Sequence, residues 1–150
     1  PVLQNLAEVA ADTMRRVGFN VDLVAMDWGT HIQRRTNRGP VDQGGWSAFC
    51  TTWEGLDVSV PGSHQPIRGH GTGAWAGWPT IPRLEELREA WFEAPDLDAE
   101  KRIAREIQTV VWQEVPFVPL GLVLPPQAYR RSITGVVKGG PALFWGVRRA

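Results

Sequence analysis

The sequence predicts an α/β fold, with helices packed on a mixed β-sheet in a single domain over residues 1–150. Three observations predict it. Helix-like and strand-like patterns alternate through the first half with short connections, which implies parallel pairing and layered packing. Two consecutive amphipathic helices follow between Pro82 and Pro116, parted by Pro95. The apolar fraction, 43% of 150 residues, is that of an ordinary globular domain with a real core.

The elements follow in order. Leu3, Leu6, Ala7, Ala10, Met14 and Val17 lie on one face of a helix from about Val2 to Val17, and Gly18 is a natural stop. Val21, Leu23 and Ala25 alternate on a strand ending at Met26. Asp27 is placed to cap a short helix through Thr36 that carries His31 and Ile32, and Asn37-Arg38-Gly39-Pro40 breaks it. Gly44-Gly45-Trp46-Ser47-Ala48-Phe49-Cys50-Thr51-Thr52-Trp53 reads as a strand behind two glycines, which allow a close backbone approach or a positive φ. A loop from Glu54 to Pro79, expected along one rim of the sheet, is too long for a plain connection and holds Trp75 and Trp78.

Pro82 suits a first helical turn with Thr80 as a cap ahead of it, and Leu84, Leu87 and Trp91 form the buried stripe. Asp96 or Asp98 caps a longer helix with Ile103, Ile107, Val110, Val111 and Glu114 at helical spacing; Pro116 ends it. Residues 117–124 are an apolar strand with Pro119 hinting at an edge. Short strands are expected near Gly135-Val136-Val137 and at Phe144-Trp145-Gly146-Val147.

Lys plus Arg and Asp plus Glu balance at 16 each, so no field draws the chain to nucleic acid or an anionic membrane. No apolar run approaches the roughly 20 residues of a membrane span. Eight tryptophans against one tyrosine suggest a site that stacks on flat or apolar ligand faces, or a large interface. The strand at Trp46, followed by an aromatic-rich loop, is where α/β proteins place ligands. Gly45, Trp46, Phe49, Trp53 and Trp75 are therefore candidate ligand contacts. Trp28 joins them because it too follows a strand. Each tryptophan reads equally as core, and Asp27 more readily as a helix cap than as a ligand contact.

No cofactor is expected. His64 and His70 are spaced too loosely for a metal site and read as solvated loop residues. Gly69-His70-Gly71-Thr72-Gly73 lacks the ending of a phosphate cradle and reads as flexible loop. The Glu85-Glu86 to Arg88-Glu89 run reads as a solvated helix face.

The order of these pieces resembles the C-terminal part of the family 5 solute-binding proteins of ABC transporters, the peptide, nickel and oligosaccharide binders. The matching stretches are "VGFNVDLVAMDW", "GGWSAF", "GWPTIPRLEELREAWFEAPDLDAEKRIAREIQTVVWQEVPFVPLG" with Gln108 and Gln113, and "YRRSITGVV". The resemblance implies the C-terminal lobe of a periplasmic binding protein-like (type II) fold, as a fragment of a larger two-lobe protein that begins upstream of Pro1. It implies a peptide-like or other small-molecule solute, a missing N-terminal lobe, and a membrane permease as partner. The location implied is periplasmic or extracellular, and no enzymatic activity is implied. In peptide-binding members the strand reads Gly-Trp-x-x-Asp, the aspartate pairing with the ligand's α-amino group. Gly45-Trp46 match, but Phe49 stands at the aspartate position, which removes that charge. An uncovered cleft wall would also favour self-association.

Two other function classes compete. A small hydrolase would use Cys50 or Ser47, but Cys50 has apolar neighbours and Ser47 no nucleophile-elbow pattern. A tryptophan-platform carbohydrate-binding module would usually be all-β, against four helical patterns here.

Overall fold

The computed structural model describes residues 2–124, 126–139 and 143–150. The chain divides into two compact units, Pro1–Thr52 and Trp53–Ala150.

The first unit carries α1 (Val2–Arg16) and α2 (Trp28–Arg35). Leu3, Leu6, Ala7, Ala10, Ala11 and Met14 form the less exposed face of α1, and Ala11 is fully buried. Past α1 the chain closes with paired reverse hydrogen bonds, Phe19 N–H to the Met14 carbonyl and Gly18 N–H to that of Arg15, each 3.0 Å. Gly18 sits at φ +98°, the left-handed turn that this closure requires. Asp27 caps α2 as expected, accepting from Thr30 N–H.

The second unit is organised by an antiparallel helix pair, α3 (Pro82–Phe92) and α4 (Leu97–Glu114). Leu84, Leu87 and Ile107 form its core with Ile67 and Ile81, and Ile103, Val110, Val111 and Phe117 pack around them. Pro82 takes the first turn of α3; the cap position is Ile81, not Thr80, with no side-chain cap bond. Asp96, rather than Asp98, caps α4 by accepting from Ala99 N–H at 2.8 Å. Val115 ends α4 in the left-handed region at φ 48°, an unusual place for a β-branched residue, just before Pro116.

The architecture is a small, helix-rich α/β arrangement, and the expected mixed sheet is the main departure from expectation. Among the described residues the only ladder is a two-stranded antiparallel one, β1 (Ile133–Thr134) with β2 (Arg148–Arg149). Residues 21–26, 46–53 and 117–124 have strand composition but join no ladder. A strand is held by a neighbour that completes its hydrogen bonds, and β-propensity alone does not supply one. The tail strands were expected a residue or two nearer the turn. Gly135 and Gly146 lie at φ +74° and +77°, which ends pairing there and moves the ladder outward.

The 54–79 segment has no sheet rim to follow. It holds three short 3₁₀ turns, Gly55–Val58, Gln65–Ile67 and Gly71–Gly73, and contributes buried Pro66, Ile67 and Ala74. Residues 69–71 run antiparallel to 79–81, through Ile81 N–H to the Gly69 carbonyl (2.8 Å) and Gly71 N–H to that of Pro79 (2.9 Å).

Candidate functional site

Asp27 fixes the start of α2 and so places Trp28 at its first position and His31 one turn on, on the same face. Their rings stack at 5.2 Å with 14° between planes. Beyond α2 the chain is drawn back onto the helix. Arg34 donates from Nε to the Gly44 carbonyl (3.1 Å) and from Nη2 to that of Gly45 (2.9 Å). Asn37 brackets the turn, its Oδ1 accepting from Gly39 N–H and its Nδ2 donating to the Gln43 carbonyl.

The two glycines divide the tasks expected of them. Gly44 takes φ +84°. Gly45 is buried against backbone; a Cβ there would lie 1.9 Å from the Gly39 carbonyl oxygen. This delivers Trp46 to the end of α2, where its Nε1–H donates to the Arg35 carbonyl at 3.1 Å. Carbonyls of a last helical turn lack intrahelical partners, so the indole satisfies one.

Phe49 then meets Trp46 edge to face at 4.6 Å and His31 edge to face at 5.5 Å. Trp28, His31, Phe49 and Trp46 thus form one run of four rings. Trp28, half exposed, is its open end. Burial, and secondarily the Arg35 charge, hold His31 below the ordinary imidazole range, so it stays neutral near pH 7. Among the described residues its Nε2 is buried without a hydrogen-bond partner. Phe49 sits between His31 and Trp46 in the run, an uncharged ring. Such a surface offers flat, uncharged faces for stacking.

Asp27 is committed to the helix. Its Oδ1 accepts from Thr30 N–H (3.1 Å) and its Oδ2 from Thr30 Oγ1 (2.5 Å), and these bonds hold the carboxyl below its usual range. Burial pushes the Cys50 thiol up, away from the thiolate a nucleophile needs. Ser47 is exposed.

In the second unit Trp53 and Trp75 meet edge to face at 5.0 Å. Trp75 also lines a cleft with Gln65, Pro66, Arg68, Ala76, Pro79, Pro116 and Phe117. Its volume, ≈ 20 Å³, is room for about one water molecule, so this cleft does not enclose a whole solute. His64 is half buried with its ring 5.3 Å from that of Phe117, and burial depresses its pKa; it is not the solvated residue expected.

The supposedly solvated α3 face is a clamp on the long segment. Arg88 is 7% exposed and donates to the Pro61 carbonyl (3.2 Å) and to Glu85 Oε2 (2.9 Å). Glu85 Oε1 accepts from Gly69 N–H at 2.6 Å. The Gly-His-Gly-Thr-Gly run is therefore pinned, not free. Its glycines give clearance, since a Cβ on Gly69 would strike Ile81 and one on Gly73 the His70 ring.

Of the expected contacts, Gly45, Trp46, Phe49 and Trp28 come together in the first unit, and Trp53 pairs with Trp75 in the second. His31 and the Arg34 clasp were not anticipated as parts of this wall. A tryptophan and a histidine three apart behind an Asp-x-x-Thr cap are a readable signal for the first. Nothing local marks the second. Among the described residues no cluster of three or more His, Cys, Asp or Glu side chains fits a metal ion, and no helix is long and apolar enough to cross a membrane.

No family model matches the chain. Over 146 residues, 97% of its length, it is 36% identical to a probable peptide ABC transporter periplasmic-binding protein of Sinorhizobium fredii. Over nearly its whole length, this chain is similar to part of a periplasmic-binding protein. It spans 28% of the length of that relative. The likeness read from the motifs is thus present across both units.

Proposed function

We propose that this chain supplies part of the solute-binding wall of a periplasmic binding protein that delivers its solute to an ABC transporter permease. The observation that carries the reading is the 36% identity over almost the whole chain to a relative so named. In the first unit the wall would be Trp28, Phe49 and Trp46, set by Gly45; in the second, taken by itself, Trp53 and Trp75 are the candidate contacts. The chain would act by binding, not by catalysis; the raised Cys50 thiol supports this against a thiol hydrolase.

In this reading the chain is most of a C-terminal lobe, and a second lobe from the same protein closes over the solute. The apolar segments 21–26 and 117–124, which join no ladder among the described residues, fit it, because longer protein would supply sheet neighbours for them. Each lobe gives only part of the contact surface, so the chain alone binds its solute weakly. The relative's name points to a peptide. Phe49 narrows this to a ligand neutral or apolar at that point: a blocked peptide, a sugar or a small aromatic.

A thermal-shift panel on the whole protein, with free and N-acetylated tripeptides, malto-oligosaccharides and small aromatics, identifies a stabilising solute. Trp28→Ala, at a half-exposed ring, then lowers affinity about tenfold while the ligand-free melting temperature holds. Unchanged affinity in both Trp28→Ala and Trp46→Ala contradicts the proposal.

A further inference from the structure

The charges of the chain cancel overall but are unevenly placed. All 16 Asp and Glu residues lie at or before Glu114. Residues 115–150 hold five cations, Arg130, Arg131, Lys138, Arg148 and Arg149, and no acid. All five are exposed, and among the described residues none makes an ion pair.

The backbone gathers four of them on one short ribbon. Arg149 stands across from Ile133 and Arg148 across from Thr134 in the β1–β2 ladder. Side chains alternate between faces, so these two arginines flank the ribbon on both sides. Arg130 and Arg131 stand in the turn that leads into β1, closed by Ile133 N–H on the Arg130 carbonyl (3.0 Å). A second turn, Val147 N–H to the Phe144 carbonyl (3.3 Å), precedes β2 and carries Phe144 and Trp145, 78% and 81% exposed. Gly135 and Gly146 hold this turn against the ladder; a Cβ on Gly135 would lie 2.0 Å from the Gly146 carbonyl oxygen.

Two bare rings with arginines close behind them match a surface that is apolar and anionic in successive layers. Arg148 follows Trp145 by three residues, at most about 10 Å. Peripheral elements sink about 5–10 Å into the boundary between headgroups and acyl chains, where tryptophan is favoured. With the rings at that depth the guanidiniums meet the lipid phosphates, and each cation there adds to binding. An acidic protein would answer the arginines but would need a pocket for both rings as well.

We propose that the C-terminal ribbon is a peripheral contact for an anionic bilayer surface. Phe144 and Trp145 are its apolar tip, and Arg130, Arg131, Arg148 and Arg149 its phosphate-facing cations. It shares no residue with the proposed solute wall and does not depend on it.

Co-sedimentation of the whole protein, and of the 150-residue chain, with lipid vesicles tests it. The probes are phosphatidylcholine alone, phosphatidylcholine with about 30% phosphatidylglycerol, and poly-glutamate as an acidic polypeptide. Both proteins are expected to bind the anionic vesicles at least about tenfold more tightly than the neutral ones, and to leave them at about 0.5 M salt. Trp145→Ala weakens that binding at least about fivefold, and Arg148→Gln with Arg149→Gln at least about tenfold. Should a variant fail to fold, the lipid and salt comparisons on the natural protein still decide. Equal binding to neutral vesicles, or none to either, overturns the proposal. So does binding by the 150-residue chain but not by the whole protein, which would show the ribbon covered by the rest of the protein. Tighter binding of poly-glutamate than of anionic vesicles also overturns it, in favour of an acidic protein partner.

Discussion

Gly45 has no room for a side chain. Gly45→Ala drives a methyl group into the Gly39 carbonyl and displaces Trp46 from the end of α2. Overpacking of this kind costs on the order of 1–3 kcal/mol, read as a lower urea midpoint; an unchanged midpoint would contradict the geometry. His64 gives a pH prediction. Burial, aided by the Arg88 charge, lowers its folded pKa, so the fold favours neutral imidazole. The contribution is complete above the ordinary value of about 6.5 and is lost as pH falls toward the lower folded value. Melting temperature should therefore drop from about pH 7 to about pH 5, and His64→Phe should flatten that dependence. A titration of His64 at or above the ordinary value contradicts it. At this scale the sequence was legible where chemistry is local. Asp27 and Asp96 as caps, Gly18 as a stop and the work of Gly44 and Gly45 all follow from residue type. The Arg34 clasp, the Phe49 contact of His31 and the burial of Arg88 under the Pro61 carbonyl depend on contacts ten or more residues away, which no spacing encodes.

Helices α3 and α4 hold the second unit through a compact seam. Leu84, with none of its surface exposed, is at its centre, and Leu84→Ala should cost about 3 kcal/mol in denaturant melts. The Glu85–Arg88 clamp is a separate device on the other side of α3's turn. Glu85→Ala removes the acceptor of Gly69 N–H and leaves Arg88 buried without its acid. One-sided removal of a buried pair costs roughly 3 kcal/mol, and hydrogen exchange should rise first in residues 60–71. Exchange unchanged there would show that the clamp does not hold the segment. The helices were readable because apolar spacing and proline punctuation act within each one. Strands are different. Residues 21–26 and 117–124 read as strands by composition, yet pairing needs a neighbour, and composition does not name one.

For the whole molecule, 36% identity to a periplasmic-binding protein and a run of four aromatic rings around α2 point the same way. The sequence likeness carried the class of protein, and the expected wall residues of the first unit do lie together around α2. In the proposed reading the choice of solute turns on one position, Phe49, where the resemblance would place an amine-binding aspartate. A desolvated ammonium gains no counter-charge from Phe49 or from neutral His31, and leaving one unpaired costs several kcal/mol. The most direct measurement is a thermal-shift comparison of free and N-acetylated di- and tripeptides on the whole protein. The account predicts that any stabilising peptide keeps its effect when acetylated. Strong stabilisation by free peptides, abolished by acetylation and unaffected by Glu54→Gln and Asp57→Asn, would contradict it.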